Sequence, residues 1–267
     1  MQTNNKQFSG CWAIILGGSS GFGLAAIEKL SQYGMNCAVL YREMAAFERP
    51  LKEKLAKLAK ENEVIIAPFN INALDETARK TFIKDIIKTI PAHSVKLLLH
   101  SIARGNLKPL VADDAYGELS IDDIQLTTYA MSTSMLDWTR ALLKADLFDK
   151  DARIIGLTSE GSNKYWEGYA AVSIAKSSLE SLTTYMAVEL SKYGIKTNLI
   201  QAGITETPSL KRIPDSEKLL ENAAARNPFG RMTKPTDVAN VIYLLCTDEA
   251  AWINGTVIHV DGGEHCR

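Results

Sequence analysis

A tyrosine and a lysine seven positions apart are the residues of this sequence best suited to acid–base chemistry. Tyr169 and Lys176 lie in a stretch whose apolar pattern predicts a long helix over residues 169–193. Seven residues make about two helical turns and roughly 10 Å of rise, so both side chains can face one cleft. A nearby cation stabilises a phenolate, so we expect Lys176 to lower the pKa of Tyr169. Taken alone, the spacing also suits an ordinary helix with a surface lysine.

A glycine-rich turn follows the first apolar run, residues 12–16, and opens a predicted helix over residues 21–33. Free backbone N–H groups and the helix dipole at such a turn attract an anion such as a pyrophosphate. Glycine lets the backbone turn sharply and approach a ligand closely. The alternative is a plain tight turn between a strand and a helix. The candidate binding residues of this turn are Gly17, Ser19, Ser20, Gly21, Phe22 and Gly23.

The ends of the second and third predicted strands supply candidate contacts to an adenosine group. Arg42 follows the second strand, where an arginine accommodates the 2′-phosphate of NADP, and Glu43 comes next. An acidic residue there would instead accept from the 2′-hydroxyl of NAD, but Arg42 comes first, so we expect NADPH rather than NADH. Asn70 can hydrogen-bond the adenine amino group and Ile71 can pack on the ring; Asn70 also suits a simple turn.

Strand-like apolar runs alternate with helical patterns from end to end, which predicts the frame that positions these residues. Parallel strands buried on both faces lack polar alternation, as these runs do. We therefore expect an α/β fold, a single Rossmann-type domain over residues 1–267 with a doubly wound parallel sheet and helices on both faces. The predicted strands are 12–16, 36–41, 63–69, 95–100, 153–158, 196–201 and 257–260. The predicted helices are 21–33, 45–60, 74–90, 121–144, 169–193 and 235–246.

The least regular stretch, residues 203–227, contains two prolines and several charges. A long loop in a compact domain is commonly a lid, so we predict a substrate-binding lid that is mobile until ligand binds. The alternative is an ordered surface excursion. Leu210, Leu219 and Leu220 are the residues expected to line an acyl channel.

Composition narrows the classes of function. The formal net charge is −1 and no basic stripe is present, so we expect no nucleic-acid partner. No run reaches the roughly 18 apolar residues of a membrane span, and residues 1–8 lack the apolar core of a signal peptide. The four cysteines have neither disulfide-scaffold nor metal-clip spacing, and only Cys266 is expected to be exposed. We expect a cytoplasmic protein without a metal site.

Motifs over nearly the whole chain resemble the short-chain dehydrogenase/reductase family. The glycine-rich turn matches its TGxxxGxG loop, with Leu16 in place of Thr, and residues 255–263 resemble its last strand and DGG turn. Most members place a tyrosine four residues before the lysine, where this chain has Val172, which cannot donate a proton. The Tyr-x6-Lys spacing of Tyr169 and Lys176 instead resembles the enoyl-acyl-carrier-protein reductase branch.

Other segments resemble the same branch. Residues 98–103 look like its HSI segment, and residues 202–207 resemble an AGPIxT segment in which Ile204 replaces Pro. Residues 127–129 fall where ordinary members carry an Asn for proton relay. Ser159 stands ten residues before Tyr169, where many branch members have an aromatic; a subgroup represented in Bacillus has Ser there. The resemblance adds these cofactor-binding candidates: Ser101, Ile102, Ala103, Gly203, Thr205 and Thr207.

The resemblance implies reduction of a trans-2-enoyl thioester, carried on acyl carrier protein, in fatty-acid or related acyl-chain biosynthesis. It implies that Tyr169 donates to the thioester oxygen and that Lys176 binds the nicotinamide ribose. Ser159 either donates to the same oxygen or orients Tyr169. It also implies a homotetramer paired through the helices at 121–144 and 169–193. Two alternatives remain: a carbonyl reductase, such as a 3-oxoacyl thioester reductase, and a non-catalytic NADP-binding sensor.

Overall fold

Seven parallel strands form one sheet in the part of the chain that the structure describes, residues 6–113, 117–208, 210 and 216–267 of a computed structural model. Their order is β3-β2-β1-β4-β5-β6-β7. The chain adds strands on one side of β1 up to β3 and then on the other side from β4 onward, so the order of the strands reverses between β1 and β4. This confirms the predicted doubly wound sheet. The strands are β1 Trp12–Leu16, β2 Asn36–Tyr41, β3 Ile66–Asn70, β4 Val95–His100, β5 Phe148–Thr158, β6 Lys196–Ala202 and β7 Val257–Val260.

Helices cover both faces of the sheet, as predicted. Alternate residues of β1 belong to two separate cores: Ile14 packs with residues of α3, α5 and α6, whereas Ile15 packs with residues of α1, α2 and α8. Strand β1 is therefore buried on both sides, which explains its continuous apolar run. The helices are α1 Gly21–Gln32, α2 Ala45–Asn62, α3 Glu76–Ile86, α4 Ile121–Thr128, α5 Ser134–Lys144, α6 Ala170–Glu189, α7 Ser216–Arg226 and α8 Pro235–Cys246.

Several predicted elements differ from the observed ones in their bounds, and two of the differences have a clear structural cause. The helix expected over residues 121–144 is interrupted by a π-helical turn, Tyr129–Thr133, which separates α4 from α5. Strand β5 begins at Phe148 rather than at 153, because Phe148 pairs with Val95 before the register shifts. Residues 149–151 are polar, so the apolar pattern did not indicate that the strand begins before them.

The stretch predicted as an irregular lid contains a helix. Helix α7 occupies Ser216–Arg226, and the residue after it is tied to the rest of the fold: Asn227 is buried and donates from Nδ2 to the Asp261 carbonyl at 2.6 Å. Residues 209 and 211–215 lie outside the described residues, as does the side chain of Leu219. No helix in the described ranges is long and apolar enough to cross a membrane. Cys266 is exposed, as expected.

Candidate active site

A cleft of about 1300 Å³ lies over the carboxyl ends of the strands, where ligands bind in open α/β sheets. Turns that follow β1 to β6 all contribute to its walls. The sequence-predicted residues that line it are Gly17, Ser19, Ser20, Gly21, Phe22, Arg42, Ile71, Ser101, Ile102, Ala103, Ser159, Tyr169, Lys176, Gly203, Thr205 and Thr207. Two of the predicted cofactor-binding residues, Gly23 and Asn70, are not part of this lining.

The turn between β1 and α1 is built for close approach of an anion. Ser20 precedes the first turn of α1 in an extended conformation, and no side chain caps that turn. A Cβ on Gly17 would lie 2.4 Å from the Ser101 carbonyl oxygen, and a Cβ on Gly23 would lie 2.2 Å from the Gly17 carbonyl oxygen. Gly23 therefore acts through packing. The uncapped helix start and the compact backbone suit a pyrophosphate.

The end of β2 presents a cation to the cleft. Arg42 is exposed and forms no ion pair with any described residue. Asn70, whose contact with adenine stays a prediction, is bonded to the loop after β2 through both polar atoms of its side chain. Asn70 Nδ2 donates to the Glu43 carbonyl at 2.9 Å, and the Glu43 N–H donates to Asn70 Oδ1 at 3.0 Å. Asn70 thus holds the loop that carries Arg42.

The structure brings the predicted tyrosine and serine together. The Tyr169 hydroxyl donates to Ser159 Oγ at 3.3 Å, and Ser159 Oγ also accepts from the Gly161 N–H at 3.2 Å. Tyr169 is 8% exposed and packs in an apolar cluster with Met131 and Val172. Burial raises the pKa of Tyr169, and the bond to Ser159 opposes this only in part. The expected lowering of this pKa is therefore wrong for the unliganded protein.

The position of the Lys176 ammonium group explains the difference. Lys176 is 6% exposed, and its Nζ donates to the Leu157 carbonyl of β5 at 2.6 Å rather than to Tyr169. Burial lowers the pKa of Lys176 to about 8, while the negative charge of Glu180 raises it slightly. Glu180 itself accepts from the Thr158 hydroxyl. Lys176 thus lies in the cleft wall, and the negative charge of Glu180 offsets only a small part of the cost of burying its positive charge.

The histidine at the end of β4 is excluded as a neutral-pH acid or base. His100 is 1% exposed, and its Nε2 lies 2.8 Å from Ser134 Oγ in α5. Burial lowers the pKa of His100 to about 3, and the positive charge of Lys176 adds to this effect. The ring is therefore neutral near pH 7. It joins β4 to the residue that follows the π-helical turn.

The residues at the predicted proton-relay position have structural roles. The Thr127 hydroxyl accepts from the Asn106 N–H at 3.1 Å and donates to the Asp123 carbonyl. The Tyr129 hydroxyl donates to Asp137 at 3.1 Å. The Asn106–Thr127 bond fixes the turn after β4 against α4, and so places one wall of the cleft. The Tyr129–Asp137 bond ties the π-helical turn to α5.

Sequence reasoning missed the apolar wall beside Tyr169. Leu107 and Trp166 pack on the cluster that contains Tyr169, and the Trp166 and Tyr169 ring centroids are 5.0 Å apart. Both residues line the cleft, as does Leu210, whereas Leu220 does not. In the sequence, this wall was indicated only by Trp166, an aromatic residue three positions before Tyr169. The wall suits an apolar chain next to the hydroxyl pair.

Known proteins resemble this chain over most of its length. A family model described as Enoyl-(Acyl carrier protein) reductase matches residues 17–265. The probable 2,4-dienoyl-CoA reductase of Bacillus subtilis is 29% identical over 257 residues, which cover 94% of this chain and 95% of that protein. The enoyl-[acyl-carrier-protein] reductase [NADH] FabI of Bacillus cereus is 31% identical over 222 residues, 82% of each chain.

A solved structure shows the same fold. The crystal structure of enoyl-[acyl-carrier-protein] reductase (NADH) from Aquifex aeolicus superposes with a TM-score of 0.82 at 24% identity, covering 97% of this chain and 98% of that one. The sheet order, the strand-end cleft and the match over residues 17–265 all agree with the resemblance found in the sequence motifs. The chain belongs to the short-chain dehydrogenase/reductase family of oxidoreductases, in the group whose model is described as enoyl-acyl-carrier-protein reductase.

Proposed function

We propose that this protein is an NADPH-dependent enoyl-acyl-carrier-protein reductase that reduces trans-2-enoyl thioesters in fatty-acid or related acyl-chain biosynthesis. The observation that carries the proposal is the buried Tyr169 hydroxyl, hydrogen-bonded to Ser159 at 3.3 Å beside an apolar wall. At the position four residues before Lys176 stands Val172, which has no proton to donate. Tyr169 is therefore the hydroxyl that we assign to the substrate.

A hydrogen-bond donor is the group that the reaction requires of the protein. When bound, a nicotinamide cofactor supplies the hydride, which the substrate accepts at its β-carbon. Because burial raises the pKa of Tyr169, its hydroxyl keeps its proton at neutral pH. It can donate that hydrogen bond to the thioester oxygen, where negative charge develops. Ser159, already in contact with the hydroxyl, orients it or donates to the same oxygen.

Lys176 and Arg42 are the residues proposed to hold the cofactor through charge. Lys176 Nζ reaches the cleft from α6, and we assign it to the hydroxyls of the nicotinamide ribose. Arg42 is exposed at the other end of the cleft, without an ion pair among the described residues, and suits a 2′-phosphate. This arrangement supports NADPH, although the name of the Bacillus cereus relative specifies NADH.

Side-by-side assays of cofactor oxidation test the proposed activity. Purified protein would be given NADPH with crotonyl thioester and, separately, with acetoacetyl thioester, each on acyl carrier protein. The proposal expects faster turnover of the crotonyl thioester, with loss of that turnover in Tyr169→Phe. Turnover of the acetoacetyl thioester alone would overturn it.

One observation favours a second candidate, reduction of a carbonyl group. A serine hydroxyl within hydrogen-bond distance of the tyrosine hydroxyl can help to polarise a carbonyl, and Tyr169 would then protonate the resulting alkoxide. The two candidates differ in what Ser159→Ala does. Carbonyl reduction requires both hydroxyls, so we expect a large loss of turnover, whereas enoyl reduction through Tyr169 tolerates the loss better. The second candidate therefore predicts equally severe defects in Ser159→Ala and Tyr169→Phe.

A further inference from the structure

A buried carboxylate near the C-terminus lies against the cofactor loop, which we define as residues 203–207. Glu264 is 2% exposed, and its Oε2 accepts a hydrogen bond from the Ile204 N–H at 3.1 Å. A Cβ on Gly203 would lie 2.7 Å from the same oxygen, so the carboxylate packs directly on the loop backbone. Ile204 is itself buried. A proline at 204 would lack the N–H that this contact uses.

An arginine at the end of α7 connects Glu264 to the loop that carries Ser159. Arg226 Nη2 lies 3.1 Å and 2.9 Å from the two carboxylate oxygens of Glu160, and 3.9 Å from Glu264 Oε1. Glu160 follows Ser159 directly in the chain, and its side chain is only 12% exposed. One guanidinium group therefore joins two carboxylates that both line the cleft.

The electrostatics of Glu264 are consistent with a fixed rather than a solvated group. Burial raises the pKa of Glu264, while the Ile204 N–H and the charge of Arg226 oppose that rise. A buried carboxylate without partners would be strongly disfavoured, so its position depends on these two contacts. The Glu264 carboxylate in turn accepts from the Ile204 N–H, which would otherwise be a buried donor without an acceptor.

We infer that Glu264 and Arg226 are positioning residues: Glu264 sets the backbone of the cofactor loop, and Arg226 couples that loop through Glu160 to the position of Ser159. This inference rests on the cofactor-binding part of the proposed function and not on the identity of the substrate. Neither residue needs to touch the substrate, because each acts through a backbone that lines the cleft.

Amide hydrogen exchange of the unliganded protein tests the inference without any assay of activity. In Glu264→Leu we expect the amide of Ile204 to exchange at least roughly tenfold faster, since its acceptor has been removed. Glu264→Gln keeps an acceptor and should retain most of the protection. In Arg226→Met we expect faster exchange at Gly161, and Arg226→Lys should restore part of it. Unchanged exchange at these amides in Glu264→Leu and Arg226→Met would overturn the inference.

Cofactor titration then measures what the positioning does. For NADPH we expect the dissociation constant to rise roughly tenfold in Glu264→Leu, with Glu264→Gln close to the native protein. Ile204→Pro removes the donor of the same bond, so the double variant Ile204→Pro/Glu264→Leu should bind about as well as either single variant. Additive losses would contradict a shared contact. The matched control is Arg231→Met, which breaks an exposed arginine–carboxylate pair with Asp237 outside the cleft and should change neither measurement.

The two measurements separate failure of the inference from failure of the proposed function. Faster exchange at Ile204 in a protein that binds no NADPH, even without substitution, would support the positioning contact and refute the proposed cofactor. Normal NADPH binding with no change of exchange or affinity in Glu264→Leu would refute the positioning role and leave the proposed cofactor intact.

Discussion

Replacing Lys176 by methionine is expected to stabilise the unliganded protein while it removes the activity. Lys176 is 6% exposed, and its negative neighbour, Glu180, compensates little of the charge on its ammonium group. Methionine fills a similar volume and carries no charge, so it relieves the cost of burying the cation. Loss of the proposed contact with the nicotinamide ribose should at the same time weaken NADPH binding and lower turnover. Stability and function are therefore opposed at this position.

The magnitude follows from the pKa. Burial lowers the pKa of Lys176 from 10.5 to about 8, and each pH unit of such a difference corresponds to about 1.4 kcal/mol. The buried charge thus costs the folded protein roughly 3 kcal/mol. The hydrogen bond to the Leu157 carbonyl, which methionine cannot make, offsets about 1 kcal/mol. A net gain of about 2 kcal/mol should raise the Tm by roughly 4–8 °C in a domain of this size.

The pH dependence distinguishes this explanation from a general packing effect. Below pH 8 the lysine is charged in the folded and the unfolded protein, so the full cost applies. Between about pH 8 and 10.5 the unfolded chain holds a proton that the folded protein has released, so the free energy of unfolding of the native protein rises with pH. The gain from Lys176→Met should therefore be largest near pH 7 and should have mostly disappeared at pH 10.

Thermal unfolding followed by circular dichroism, at pH 7 and pH 10, measures the effect. The matched control is Lys60→Met, which replaces an exposed lysine of α2 and should leave the Tm unchanged at both values. The reasoning would be refuted if Lys176→Met lowered the Tm at pH 7, or raised it equally at the two pH values. Titration with NADPH on the same samples should show weaker binding by the Lys176 variant alone.

Four further outcomes are expected. Tyr169→Phe should lower enoyl thioester turnover roughly 10²-fold, the scale of losing one oxyanion donor, with little change in NADPH binding. Tyr165→Phe, at an exposed position, should leave turnover unchanged. The reverse pattern would contradict the assignment of Tyr169. Arg42→Ala should reduce the preference for NADPH over NADH in kcat/KM by roughly ten- to hundredfold, and equal use of both cofactors by the native protein would refute it. Light scattering should give a homotetramer, because α6 leaves apolar side chains exposed in the single chain; a monomer mass at micromolar concentration would contradict this. Hydrogen exchange over residues 203–227 should slow when NADPH and an enoyl analogue bind together, and no added protection would exclude a lid.

Periodicity and turn chemistry were sufficient to predict the frame of the site. The uninterrupted apolar run of β1 and the glycines after it predicted the strand, the turn and α1, and the spacing of Tyr169 and Lys176 predicted two side chains in one cleft. These features depend on residues close together in sequence. The π-helical turn was missed because one inserted residue leaves the apolar pattern on each side of it unchanged.

What could not be predicted depends on contacts between distant parts of the chain. Arg226 and Glu160 are 66 positions apart, and Glu264 is 60 positions from Ile204, so no local pattern relates them. The pKa of Tyr169 shows the same limit. Its sequence neighbour Lys176 suggested a lowered value, but the fold directs the lysine to a strand carbonyl and leaves burial as the larger effect.

The backbone packing of the glycine-rich turn restricts which substitutions can change cofactor choice during evolution. At position 17 any side chain would collide with the Ser101 carbonyl, and at position 23 with the backbone of residue 17, so neither site tolerates variation. Ser20 and Arg42, in contrast, are exposed at the cleft and have room for other residues. Drift between the two nicotinamide cofactors can therefore proceed through these two open positions while Gly17 and Gly23 stay unchanged. A library randomised at 20 and 42 would sample that exchange without disturbing the fold.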